Sequence, residues 1–134
     1  MKQEIRHRVT GAVLYAPAEA EDLSDMDFSG MSLRSADLLG AKLDGANLIR
    51  VDLCGADLRG TNLRGGNLKG ADLTFADLTG ADLSEASLFC ARLQGADLSG
   101  AVLIGADMGG ARYDVQTSWP AGFDPAAHGM RLVL

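Results

Sequence analysis

The sequence predicts a repeat solenoid whose backbone turns every five residues, and three observations carry that prediction. Residues 56 to 84 read ADLRGTNLRGGNLKGADLTFADLTGADLS, with Leu58, Leu63, Leu68, Leu73, Leu78 and Leu83 at strict intervals. Glycine recurs inside the same pattern, where helix and strand interiors both tolerate it poorly. Aromatic residues make up only 5% of the chain, so the core has to be aliphatic and those leucines have to build it.

A period of five suits neither regular structure. In an α-helix five residues advance the side chain about 140° beyond full turns, which scatters the leucines around the cylinder instead of lining one face. In a continuous strand an odd period sends successive leucines to opposite faces. The chain therefore turns between leucines. Laid out in fives, the register runs from Glu21 to Val115 as nineteen units. Leucine is central in all but three, where Phe28, Met108 and Tyr113 replace it, while alanine dominates the first position, Asp or Asn the second and glycine the fifth. A large central and a small first residue can both point inward without crowding, and Asp, Asn and Gly suit tight turns.

The A(D/N)LxG repeat resembles the pentapeptide-repeat family, and the likeness extends over most of the chain. What the resemblance implies is an all-β fold, a right-handed quadrilateral β-helix with four units per coil and one on each side. Nineteen units make almost five coils, a rod roughly 23 Å long at the usual strand spacing of ~4.8 Å. Leucine-rich repeats, the nearest rival, need longer periods and an Asn ladder.

Stacked coils bury their leucines only against neighbours, so both ends need covering. Residues 1–20 are expected to form an N-terminal capping segment, with a strand or small hairpin in IRHRVTGAVLY around Thr10-Gly11 and AEAEDL at 18–23 leading into the first coil. Residues 21–115 form the β-helix and residues 116–134 a C-terminal capping tail. That tail, DVQTSWPAGFDPAAHGMRLVL from 114 onward, resembles the WPxGFDP-type ending of many bacterial pentapeptide-repeat proteins. Trp119 and Phe123 are the expected covers of the last coil, stiffened by Pro120 and Pro125, and the terminal MRLVL is expected to pair as a short strand.

At 134 residues the chain is one domain. It has no apolar run approaching the ~18 residues of a membrane span and no convincing signal peptide, so it is read as soluble and cytoplasmic. Catalytic and cofactor motifs are missing. His7 and His128 sit in opposite flanks without ligand neighbours. The acidic stretch DLSDMDFSG lacks the spacing of a calcium loop, and no phosphate-binding glycine motif occurs. Ser84 and Ser99 have no histidine to activate them. Cys54 and Cys90 lie almost two coils apart, beyond the ~7 Å Cα separation a disulfide allows, and are expected as free thiols. The expectation is a protein that is not an enzyme and takes no metal or cofactor.

What remains is charge. The formal net charge of -6 disfavours direct nucleic-acid binding, which rests on cations neutralising phosphates. Residues twenty apart share a column, so Asp37, Asp57, Asp77 and Asp97 form a ladder offset only by Arg59. The adjoining side carries Glu21, Asp22, Asp25, Asp44, Asp82 and Glu85 against Lys42 and Arg64, while the other two sides balance. The candidate partner-binding site is this acidic edge: Asp37, Asp57, Asp77, Asp97, Asp44, Asp82 and Glu85. Turn chemistry alone also accounts for Asp at the second position. Ile49 with Phe89, and Cys54 with Phe75, offer smaller exposed apolar patches. The expected function is a scaffold that binds another, unidentified protein, as a monomer or end-to-end dimer. The resemblance supplies an alternative, mimicry of duplex DNA toward DNA gyrase, as in some family members.

Overall fold

The computed structural model describes residues 4–15 and 22–134; Glu21 and the lead-in at 18–21 lie outside them. The five-residue units behave alike. The carbonyl of the central residue accepts the N–H three residues on, as from Ala41 to Leu38 (3.0 Å), Thr61 to Leu58 (3.2 Å) and Ala81 to Leu78 (3.0 Å). Every fifth position from Asp25 to Gly110 has a positive φ, including the non-glycine residues Asp25, Ser35, Arg50, Phe75, Glu85 and Cys90 at 56° to 60°. A positive φ confined to the third of four residues closed by such a bond is the signature of a type II turn, whose third position favours glycine.

Those corners set the ladder. Second-position residues bridge in parallel to partners twenty residues on, from Asp27 with Asn47 through to Arg92 with Arg112. Twenty residues are four units, so each coil has four sides. Between coils the Asp57 N–H donates to Ala36 O (2.9 Å), the Leu38 N–H to Asp57 O (2.9 Å) and the Gly40 N–H to Arg59 O (2.8 Å). The strand on each side is only two or three residues long, yet it is hydrogen-bonded above and below.

The interior follows from this register. Central residues stack in four columns, such as Leu43, Leu63 and Leu83, and all three are fully shielded. First-position alanines fill the corners between columns, among them Ala36, Ala56, Ala76 and Ala96. Thr61 takes one such buried position because its hydroxyl donates to Leu58 O (2.8 Å), which removes the penalty of an unpaired buried polar group.

At the N-terminal end, β1 (Ile5–His7) and β2 (Val13–Tyr15) form the expected antiparallel hairpin. The β1 strand also pairs antiparallel with β3 (Ala36–Asp37), matching Arg6 with Asp37 and His7 with Ala36. Ile5 is buried in the core, and Tyr15 packs edge-on against Phe28 with ring centroids 5.3 Å apart. The His7 side chain closes the hairpin loop, because its Nδ1 accepts the N–H groups of Val9 (3.2 Å) and Thr10 (3.1 Å).

At the other end the chain does not leave the coil at Val115. Ser118 bridges Asp97, a separation of twenty-one residues, so the unit beginning at Ala111 is six residues long. Val115 is absent from the positive-φ residues, in line with the poor fit of a β-branched residue to that conformation. The corner forms one residue later, where Asp114 O accepts the Thr117 N–H (3.1 Å). Thr117 then takes the buried corner above Ala96, its hydroxyl donating to Leu93 O (2.9 Å). Trp119 falls in the column of Leu98, and its ring meets Tyr113 at 5.8 Å and Phe123 at 4.9 Å. After a 3₁₀ turn at Pro125–His128, β5 (Arg131–Leu132) pairs in parallel with β4 (Arg112–Tyr113). The MRLVL segment thus pairs as the sequence suggests.

Register is the parameter on which this architecture is most exposed. Inserting one residue between Gly60 and Thr61 displaces every later column and should abolish the cooperative thermal transition and the native circular dichroism. Thr61→Ala removes a single hydroxyl and should cost only about 1 kcal/mol. An insertion variant melting within a few degrees of the parent would contradict the coil register.

Candidate functional site: the acidic edge

The predicted ladder exists. Asp37, Asp57, Asp77 and Asp97 are successive bridge partners on one side of the coil. Asp44 and Asp82 belong to the adjoining side but stand in different columns: Asp82 is a bridge partner of Asn62 and Val102, whereas Asp44 lies at a corner and accepts the Ser24 hydroxyl (2.7 Å). Glu85 occupies a positive-φ corner and is exposed. The edge is therefore an assembly of columns on two adjoining sides.

Each ladder carboxylate also works on its own backbone. Its Oδ1 accepts the N–H two residues on, from Leu39 (3.3 Å) to Asp37, Arg59 (3.2 Å) to Asp57, Thr79 (3.0 Å) to Asp77 and Ser99 (3.0 Å) to Asp97. This Asx arrangement satisfies a turn N–H that the ladder leaves free. Where the fourth residue is Ser or Thr, its hydroxyl often donates to the same oxygen, as Thr74 does to Asp72 (2.7 Å) and Ser84 to Asp82 (2.5 Å). Sequence reasoning treats Asp as turn-competent but misses this pairing, although the recurring D-L-S and D-L-T triplets carry its signal.

The ladder is not uniformly negative. Asp57 is only 5% exposed and receives both Arg59 Nε (2.9 Å) and Nη2 (2.8 Å) in a two-pronged pair. Arg59 Nε also approaches Asp77 Oδ2 at 3.9 Å. Hydrogen bonding from the Arg59 guanidinium holds the Asp57 carboxyl below its ordinary range against the opposing effect of burial, and the guanidinium is correspondingly raised. The Asp82 carboxyl is lowered by the hydroxyl and N–H of Ser84, and Asp97 by those of Ser99. The charge open to a partner thus comes from Asp37, Asp77 and Asp97 beside Asp44, Asp82 and Glu85.

The other predicted positions lie elsewhere. Trp119 and Phe123 are half-buried at the C-terminal end and stack in series with His128, whose ring lies 4.5 Å from that of Phe123. Cys54 and Cys90 are free. Phe89 and Ile49 line an open recess of about 330 Å³ together with Arg50, Lys69, Gly70 and Cys90, and Lys69 Nζ stands 5.4 Å from the Phe89 ring centroid. Among the described residues no group of three or more His, Cys, Asp or Glu is placed to hold a metal ion, and no helix is long and apolar enough to cross a membrane.

The profile described as pentapeptide repeats (8 copies) matches residues 22–48, 46–84, 67–103 and 83–112. No curated protein matches the chain. Among solved structures, a pentapeptide repeat protein from Nostoc PCC 7120 is 44% identical, with 72% of this chain and 84% of that one covered and a TM-score of 0.54. A pentapeptide repeat protein from the Arabidopsis thaliana thylakoid lumen is 35% identical over 68% of this chain and 63% of its own, with a TM-score of 0.49. QnrB1, a plasmid-mediated fluoroquinolone resistance protein, is 16% identical over 81% of this chain and 80% of its own, with a TM-score of 0.34, and is too remote to bear on activity.

The lowered carboxyls fix a direction for acid stability. Asp57, Asp82 and Asp97 titrate lower folded than unfolded, so their stabilisation is complete above the unfolded value of about 3.9 and fades as pH falls through the folded values. The melting temperature should be nearly flat above pH ~4 and drop below it. Asp82→Asn with Asp97→Asn keeps an acceptor for each turn and should lessen that drop, whereas Asp57→Ala removes both the acceptor of the Arg59 N–H and the partner of its solvent-exposed guanidinium and should lower the melting temperature at neutral pH. Melts of the variants across this range check all three outcomes.

Proposed function

The chain belongs to the pentapeptide-repeat family, whose members form right-handed β-helices, and from that premise we propose that it is a non-enzymatic module that binds another protein through the acidic edge of a rigid rod. The observation that carries this reading is the anchoring of the edge. Asp37, Asp77, Asp97 and Asp82 each have one carboxylate oxygen tied to the backbone two residues on. Their outward oxygens keep fixed spacing, so a partner meets a charge pattern already ordered, and little freedom is lost on binding. The complementary partner is a protein with a basic surface, and association steered by such charges weakens with salt. The protein acts in the cytoplasm on this reading.

A variant with Asp37, Asp77, Asp82 and Asp97 changed to Asn tests it, with Asp57 left in place to hold Arg59. Partners captured by the parent protein should be lost or bound about tenfold more weakly, with a shallower salt dependence. Equal capture with the same salt dependence would show the edge to be turn chemistry only. The same pair of proteins in a DNA gyrase supercoiling assay addresses the alternative. Inhibition or protection by the parent and not by the variant would favour mimicry of duplex DNA. Against that alternative, Arg59 interrupts the acidic track, and a ladder spacing of ~4.8 Å does not match phosphates ~3.4 Å apart along one strand.

The flanks serve this module as caps. Ile5 and Tyr15 lie over the first coil, and Trp119, Phe123 and Met130 pack against the core at the last. One side of the last coil, 101–105, is incompletely covered: its inward residue Leu103 is only partly buried and lines an apolar recess of about 300 Å³ with Ile104, Pro120 and Phe123. Deleting residues 116–134 uncovers the remaining columns and should drive end-to-end association, with Trp119 emission in the parent blue-shifted relative to the unfolded chain. Sedimentation separates the possibilities. A dimeric parent and a soluble monomeric truncation would make the tail a dimer contact and overturn the cap.

A further inference from the structure

The side of the coil that adjoins the Asp37–Asp97 ladder carries a column of the opposite charge at its C-terminal end. One second-position column reads Asp52, Asp72, Arg92, Arg112 along the bridges, and β5 adds Arg131 beside Arg112. Three arginines therefore follow one another on a protein whose net charge is -6. Like charges directly opposed in neighbouring strands are destabilising, so the arrangement has a cost that its own neighbours do not offset. Arg34 is paired to Asp52 at 3.2 Å, and Arg92 reaches Asp72 only at 4.0 Å. Among the described residues Arg112 and Arg131 have no ion pair. Asp114, the nearest further acid on that side in sequence, is engaged instead by the N–H groups of Gly95 (3.0 Å), Gln116 (3.0 Å) and Thr117 (3.2 Å).

Arg92, Arg112 and Arg131 line one open recess of about 470 Å³ with Gln94, Leu132 and Val133. A second observation at this place is independent of charge. Gln94 Oε1 is the one buried side-chain oxygen or nitrogen among the described residues without a hydrogen-bond partner. Gln94 also lines the recess, and the terminal torsion of a glutamine is soft, so turning the amide about that torsion exposes the oxygen to a donor seated there. Guanidinium groups present planar forks that take phosphate oxygens two at a time, and adjacent forks can share one phosphate. The recess lies in the size range of small-molecule sites, about 300–1,000 Å³, which leaves room beyond a bare phosphate.

We propose that this recess binds a phosphomonoester of a small organic molecule. The phosphate lies between the Arg112 and Arg131 guanidiniums with Arg92 beside them, a hydroxyl or amino group of the ligand donates to Gln94 Oε1, and its apolar part rests on Leu132 and Val133. The site goes beyond the protein-binding role of the acidic edge and does not depend on it.

Calorimetric titration of the full chain at low salt, with adenosine monophosphate and inorganic phosphate as probes, tests the proposal. Both should bind saturably and weaken with salt, the nucleotide about tenfold more tightly. Arg112→Gln with Arg131→Gln should lose both probes, while its melting temperature without ligand holds or rises because the opposed charges are gone. Gln94→Leu should keep phosphate and lose the advantage of the nucleotide. Should the double variant fold poorly, Arg131→Gln alone, in the exposed terminal strand, should still weaken both probes. No saturable binding of either probe, or unchanged binding in the arginine variants, overturns the site. Equal affinity for nucleotide and phosphate overturns the assignment of an organic ligand.

Discussion

The positive-φ corner at every fifth residue is the constraint on which the rest of the molecule depends. It closes each turn by a hydrogen bond from the central residue's carbonyl, and it limits each side of the coil to a length that cannot slip. Slippage is the usual weakness of short strands, because a shift of one residue turns every side chain to the other face. Here four corners per coil set the register of four ladders at once. Gly40, Gly60, Gly80 and Gly100 meet the φ requirement without strain, while Phe75, Glu85 and Cys90 meet it at the cost that any residue with a Cβ incurs in the left-handed region. They persist because the coils above and below hold them in place.

Once the corners are fixed, the interior has little freedom left. Leucine columns and alanine corners fill the coil, and the interior is a stack of side chains with no channel through it. Binding is therefore confined to the outside and to the two ends. The outside is defined by second, fourth and fifth positions, whose residues repeat every twenty along the chain. A column of like residues becomes a stripe, and a change of residue type along a column becomes a boundary. The ladder from Asp37 to Asp97 is the first kind, and the passage from Asp72 to Arg92 is the second.

The same side chains serve folding and surface chemistry together. A second-position aspartate ties one carboxylate oxygen to its own turn and leaves the other to solvent, which is how a turn requirement also produces a charged stripe. Arg59 modifies that outcome at one level by binding Asp57 with two nitrogen atoms. The ends obey the same accounting of backbone and apolar groups. Hairpin β1–β2 supplies an antiparallel partner where no earlier coil exists, and the six-residue unit at Ala111 lets Thr117 and Trp119 continue the corner and the column above it.

The sequence by itself determined the period and the inward leucines, because these follow from spacing, whereas the four-unit coil, and with it the columns that place the aspartates together, was implied by the likeness to pentapeptide repeats and is borne out by the twenty-residue bridges. The hairpin around Thr10-Gly11 and the pairing of MRLVL were legible for the same reason: alternation and turn residues are local signals. Tertiary structure decided what spacing does not encode. That Val115 delays the corner, that Asp57 is sheltered under Arg59 while Asp37 is not, that His7 closes its own loop, and that β5 sets Arg131 beside Arg112 all depend on how separate coils meet. Hydrogen bonding and burial are fixed by neighbours twenty residues away, or by a tail that returns across the last coil, and no local pattern records them.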